Sequence, residues 1–156
     1  MTRAGGARLS VVAAVLLWTV SFGAGAQPQQ LESFSTAPLV VHSGPTQHKF
    51  TVELALTPRQ QAQGLMYRRS MPAQAGMLFL YRPVQPISMW MMNTFIPLDM
   101  LFVSADRRIV RVAERTVPHS TETIPSGQPI LAVIELNAGT VARLGITLGG
   151  SPASRR

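Results

Sequence analysis

Residues 76–113 read GMLFLYRPVQPISMWMMNTFIPLDMLFVSADRRIVRVA, and the fold class turns on how this stretch is cut. Gly76–Tyr81 is a short, nearly continuous apolar run, and Pro83 and Pro86 interrupt the chain just after it. Ile87–Met92 is a second run, Leu98–Val103 a third and Ile109–Ala113 a fourth, with Asp106-Arg107 in the turn before it. Short apolar runs bounded by proline and turn residues read as strands.

The flanks agree. Upstream, HKFTVELAL (48–56) alternates, with Phe50, Val52, Leu54 and Leu56 on one side and Lys49, Thr51 and Glu53 on the other. That is a half-buried strand. Leu39-Val40-Val41 predicts a short first strand, and Gly44-Pro45 a turn. Thr57-Pro58 opens a helix, because threonine is a good N-cap and proline fits the first turn. Its apolar stripe is Ala62, Leu65 and Met66, and Pro72 stops it near Ser70. Downstream, residues 116–129 carry Pro118, Pro125, Gly127 and Pro129 and predict a long loop. Ile130–Leu136 is another strand, and Thr140–Leu144 a short helix between Gly139 and Gly145. The expected fold is mostly β (α+β): a compact, barrel-like antiparallel sheet with one N-terminal helix and one short C-terminal helix.

At its start the chain has the three parts of a secretory signal. Arg3 and Arg8 form the positive region, residues 9–20 the apolar core, and Ala24-Gly25-Ala26 the cleavage site. The apolar core is shorter than the roughly 20 residues a membrane span needs. The expected layout is a cleaved signal over 1–26, a flexible leader over 27–38, one globular domain over 39–150 and a frayed tail over 151–156. The protein is therefore expected to be exported, periplasmic or secreted, monomeric, and without a transmembrane span after cleavage. The chain is 46% hydrophobic and 13% charged, which is too apolar for intrinsic disorder. It has no cysteine. That excludes disulfides, thiolate metal sites, a cysteine nucleophile and a lipid anchor on cysteine. The formal charge is +7, and it falls to about +5 once Arg3 and Arg8 leave. With scattered arginines and export, nucleic acid is not an expected partner.

Four segments, GLMYR (64–68), GMLF (76–79), MWMMNTFIPLDMLFV (89–103) and VIELNAG…RLGI (133–146), together resemble domain-of-unknown-function family 192. The resemblance covers about 48–150. It implies a compact mostly-β fold in small, often exported proteins, and no assigned reaction. Where the family usually has lysine this chain has Met92; where it has proline, Asn137; and where it has a Gly-Asp pair, Gly149-Gly150.

Acidic residues are scarce, and Asp99 and Glu135 alone are embedded in apolar strand patterns. A buried carboxylate is costly unless paired and hydrogen-bonded. Two readings stand: structural ion pairing, with Arg68 and Arg143 as partners and Asp99–Arg68 preferred, or a pocket acid able to bind or transfer a proton. A small hydrolase or lyase would use Asp99 and Glu135 as its acid/base pair.

Every methionine but Met1 lies beyond residue 65, and Met89, Met91 and Met92 cluster. Thioethers suit Cu(I) in an exported protein, and His42, His48 and His119 could contribute. Core filling is their default use. Met92, where relatives place lysine, should reach water, and strand alternation puts Trp90 on the same face. An exposed apolar patch there marks a ligand or partner site. There is no G-x-S-x-G, Walker loop, dinucleotide glycine fingerprint or H-E-x-x-H. The leading expectation is a non-enzymatic, cofactor-free module that binds a small molecule or an envelope protein. Its candidate site residues are Arg68, Trp90, Met92, Asn93, Thr94 and Asp99. The acid/base enzyme and methionine-based copper handling are the alternatives.

Overall fold

The computed structural model describes residues 31–153; the expected signal and its cleavage site lie outside the described residues. Among the described residues, nine strands and two short helices succeed one another. They are β1 (Thr36–Ser43), β2 (Thr46–Ala55), α1 (Pro58–Gln63), β3 (Ala75–Gln85), β4 (Ser88–Met89) and β5 (Leu98–Val103), then β6 (Ile109–Ala113), β7 (Ile124–Pro125), β8 (Ile130–Asn137), α2 (Thr140–Leu144) and β9 (Ser151–Ala153). Seven strands form one sheet in the order β6-β5-β8-β3-β2-β1-β9, and β4 pairs with β7 in a second, two-stranded sheet. The edge strand β6 does not hang free. Ile109 N–H donates to Gly150 O (2.8 Å) and Gly149 N–H to Ile109 O (2.8 Å), just before β9. The sheet is curled into a half-barrel, and this seam covers the start of its edge strand.

The sheet departs from the expected antiparallel pattern at one pairing. β2 and β3 run parallel, from Thr51↔Ala75 to Ala55↔Phe79. The connection between them passes through α1 and the residues to Gln74, long enough for the crossover that parallel strands require. The α1 start is set by a reciprocal capping box. Thr57 Oγ1 accepts from Gln60 N–H (3.2 Å), and Gln60 Oε1 accepts from Thr57 N–H (3.1 Å). The helix ends at Gln63 rather than near Ser70, because Gly64 turns the chain at φ 49°. Leu65 and Met66 therefore leave the helix.

β3, β5 and β8 read as apolar runs because both sheet faces are covered. One face carries Met77, Phe79, Tyr81, Leu98, Met100, Phe102 and Val133, packed with Leu65, Met89, Met91 and Ile96. The other carries Leu39, Val41, Phe50, Val52, Leu101, Val103, Ile134 and Leu136, and Val141 and Ile146 close over it. Each fully buried large side chain contributes about 1.5–3 kcal/mol.

Three other expectations change. The second run of residues 87–92 keeps only Ser88–Met89 as strand, since Thr94 N–H bonds Met91 O (3.0 Å) in a turn where Asn93 has φ 55°. The leader from Leu31 is docked: Gln60 Nε2 donates to Ser33 O (2.8 Å) and Leu54 N–H to Ser35 O (2.8 Å). The tail is not frayed at Ser151–Ala153, which pairs with Val40–His42 as β9.

Candidate functional site

The residues after β4 form a loop that three neighbours hold in place. Tyr67 N–H donates to Asn93 O (2.8 Å), His119 N–H to Thr94 O (3.1 Å) and Met91 N–H to Ser120 O (3.0 Å). Side chains reinforce these ties. Asn93 Nδ2 donates to Tyr67 Oη (3.3 Å), and the Phe95 ring packs against Tyr67 and His119. Within this frame Met89 and Met91 turn inward and Trp90 turns outward, 46% exposed.

Between this loop, α1 and β3 lies a cleft of about 340 Å³. From α1 and the turn after it come Gln61, Gln63, Gly64 and Met66; from β3, Phe79 and Tyr81; from β4, Ser88 and Met89; from the loop, Trp90 and Thr94. Gly64 is required here, because a Cβ at that position would lie 3.0 Å from Phe79 Cζ. From β8 comes Glu135, 4% exposed. Among the described residues, no hydrogen bond or ion pair reaches its carboxyl. Burial pushes its pKa up to about 8. The Tyr81 hydroxyl is also pushed up, by burial first and by the Glu135 charge second, and it donates to Met89 Sδ (3.5 Å).

The expected site residues do not all meet here. Trp90 and Thr94 line the cleft, Asn93 braces the loop behind it, and Met92 is half-buried outside the lining. Arg68 is committed elsewhere: Nη1 and Nη2 grip Glu53 Oε1 and Oε2 at 2.5 and 2.6 Å. The expected Asp99–Arg68 pair is therefore not formed. Asp99 is fully buried on the other sheet face, where Oδ1 accepts from Arg115 N–H (2.9 Å) and Gly139 N–H (3.1 Å). Its Oδ2 accepts from Val141 N–H (2.8 Å). Gly139 supplies no capping side chain to α2, so β5 delivers the cap. Arg143 is exposed in the last turn of α2 and pairs with neither acid.

The acid/base pair fails on register. Asp99 stands opposite Leu136, and Met100 opposite Glu135, so the two carboxyls project from opposite faces of the sheet. The thioethers proposed for copper serve different partners. Met91 Sδ accepts from Thr116 Oγ1 (3.1 Å), Met89 Sδ from Tyr81, and Met66 Sδ from Asn93 Nδ2 (4.0 Å). His119 packs on Phe95, whereas His42 and His48 belong to β1 and β2.

Sequence reasoning missed Tyr81, Gln61 and Gly64. Tyr81 carried a signal, because a tyrosine ending an apolar run needs a partner for its hydroxyl. Gln61 carried none, since its amide serves the Ala55 and Leu80 carbonyls (3.3 and 2.8 Å).

Among solved structures, the chain is similar to one from Sinorhizobium meliloti 1021 described as a proposed transcription regulator. Identity is 44%, TM-score 0.77, covering 80% of this chain and 98% of that one. It is also similar to a protein of unknown function from Novosphingobium aromaticivorans DSM 12444, at 36% identity and TM-score 0.74, covering 84% and 99%. No functionally curated protein matches it. Residues 39–151 match the family described as DUF192, an uncharacterized ACR, and the chain belongs to that family.

Proposed function

We propose that this protein is an exported, non-catalytic module that binds a small ligand in the cleft between Trp90 and Glu135. One observation carries the reading: a carboxyl nine-tenths buried, lining an apolar cleft, without a partner of its own among the described residues. The buried side-chain atom without a hydrogen bond among the described residues is His48 Nε2, so the Glu135 oxygens are not sealed in but open onto the cleft. A carboxyl held in that position without a protein partner is placed to bond a ligand. The exposed Trp90 at the mouth adds a flat apolar surface of the kind that ligand sites use. Export rests on the pattern of residues 1–26.

DNA binding, suggested by the description of the Sinorhizobium relative, gains nothing from the helices. They have six and five residues, and reading a major groove by helix takes a longer one.

Thermal shift against envelope small molecules and cell-wall fragments tests the binding. The expected result is a ligand that raises the wild-type melting temperature by several degrees, an effect abolished in Trp90→Ala. Ligands that stabilise wild type and Trp90→Ala equally would remove the cleft from consideration. N-terminal sequencing of envelope protein should read from Gln27, and an intact Met1 would overturn export.

A further inference from the structure

Three of the hydrogen-bond donors lining this cleft, on Tyr81, Gln61 and Thr94, are already engaged. Tyr81 Oη gives its proton to Met89 Sδ, Gln61 Nε2 to two backbone carbonyls, and Thr94 Oγ1 to Met92 O at 3.3 Å. Gln63 Oε1 already accepts from Glu32 N–H at 2.7 Å. The Gln63 amide nitrogen, the Ser88 hydroxyl and the Trp90 indole N–H make no hydrogen bond among the described residues, and Ser88 and Trp90 are exposed at the mouth. Deeper in, the ionisable group left for a ligand is the carboxyl of Glu135.

Among the described residues, no lysine or arginine lines the cleft to compensate Glu135. Tyr81 on β3 is the titratable group that acts with it. On β2, across Met77, Glu53 is neutralised by Arg68. On β6, Arg111 lies over the Phe102 ring and donates to Pro125 O. α1, β4 and the residues after it present Gln61, Gln63, Ser88, Trp90 and Thr94, all uncharged.

Resting on the reading of this cleft as a ligand site, we propose that its ligand is a small organic cation, a primary or secondary ammonium on an apolar or aromatic frame. The ammonium meets Glu135, and the frame occupies the space leading to Trp90. An ammonium brings only donors, which complements the unpartnered Glu135 carboxyl. Its attraction to a carboxylate strengthens where water is excluded. The cleft is near the lower end of the roughly 300–1,000 Å³ typical of ligand pockets, so the frame is about one ring in size.

Binding of a cation moves a proton. With its pKa near 8, Glu135 is mostly protonated in the empty cleft at pH 7. The bound ammonium keeps its own protons, the carboxyl gives up one to solvent, and a carboxylate–ammonium pair remains. At pH 7 this releases up to about 0.9 proton per site. A neutral ligand releases none.

The test is calorimetry on the full chain at pH 7 in phosphate and in MOPS, whose ionisation enthalpies differ and which contain no primary or secondary amine. The probes are phenethylamine, its neutral counterpart 2-phenylethanol, and N-acetylglucosamine. The expected result is phenethylamine binding at least tenfold tighter than the alcohol, with release close to one proton. Glu135→Gln should erase that preference, and the wild-type proton count stands as a test even if this variant does not fold. Equal binding of amine and alcohol, or binding without proton release, overturns the cation class while leaving the cleft as a ligand site. N-acetylglucosamine binding in place of the amine has the same meaning. If none of the three binds or alters Trp90 emission, the cleft reading falls together with the cation.

Discussion

Asp99 and Glu135 lie on neighbouring strands of one sheet and point to opposite faces, because Asp99 stands opposite Leu136 and Glu135 opposite Met100. Two buried acids of one family motif set thereby have separate employment. Asp99 ties together the backbone of Arg115, Gly139 and Val141, and Glu135 lines the cleft.

Asp99→Asn is expected to destabilise the protein by about 2–4 kcal/mol, since a hydrogen bond to a charged group contributes roughly 1.5–3 kcal/mol and an amide nitrogen cannot accept. The partner assignment is tested by double-mutant cycles from urea unfolding. Asp99→Asn and Arg68→Gln should be additive. Glu53→Gln and Arg68→Gln should couple by about 0.5–1 kcal/mol, the range for partly exposed pairs. Coupling between Asp99 and Arg68 would contradict the observed pairing.

Stability should fall as pH rises from about 4.5 to 8. Glu135 has its pKa raised from 4.5 to about 8 by burial, so the folded state holds the proton more tightly than the unfolded chain. The cost is absent below the unfolded value, grows through the window and is complete above about 8. Its full size is of the order of 5 kcal/mol. Urea midpoints measured at pH 5 and pH 8.5 should differ in wild type and converge in Glu135→Gln. An unchanged difference in the variant would place the pH dependence elsewhere.

The strands were legible because β5 and β8 are covered on both faces and so read as apolar runs. The inward–outward alternation of Met89, Trp90 and Met91 matches the expected strand period, although only Ser88–Met89 is strand. The parallel pairing of β2 with β3 was not, because hydrophobic period encodes which face a residue takes and not the direction of its neighbour strand. Nor was the partner of Asp99. Its three donors are backbone N–H groups, at residues 115, 139 and 141, which any residue but proline could supply. Burial of Glu135 could be read from Val133–Leu136, but its location in a cleft depends on loops far away in sequence.

Trp90 is 46% exposed and should be open to iodide, with the quenched component assigned by comparison with Trp90→Phe. That substitution should change stability by no more than about 0.5 kcal/mol, as exposed positions usually do. A blue-shifted, unquenched component lost on substitution would mean that the cleft mouth is closed.

Gly76 connects the fold to the cleft most directly. A Cβ there would lie 2.6 Å from the Glu135 carbonyl oxygen and 2.8 Å from Leu136 Cδ2, so Gly76→Ala must push β8 away from β3. Overpacking of this kind typically costs about 1–3 kcal/mol. The obstacle is backbone, which cannot swing aside like a side chain, and the displaced segment carries Glu135. The variant should therefore lose stability in urea unfolding and also bind any cleft ligand more weakly, even though residue 76 does not line the cleft. A variant that is destabilised but binds as wild type does would show that β8 yields without moving the carboxyl.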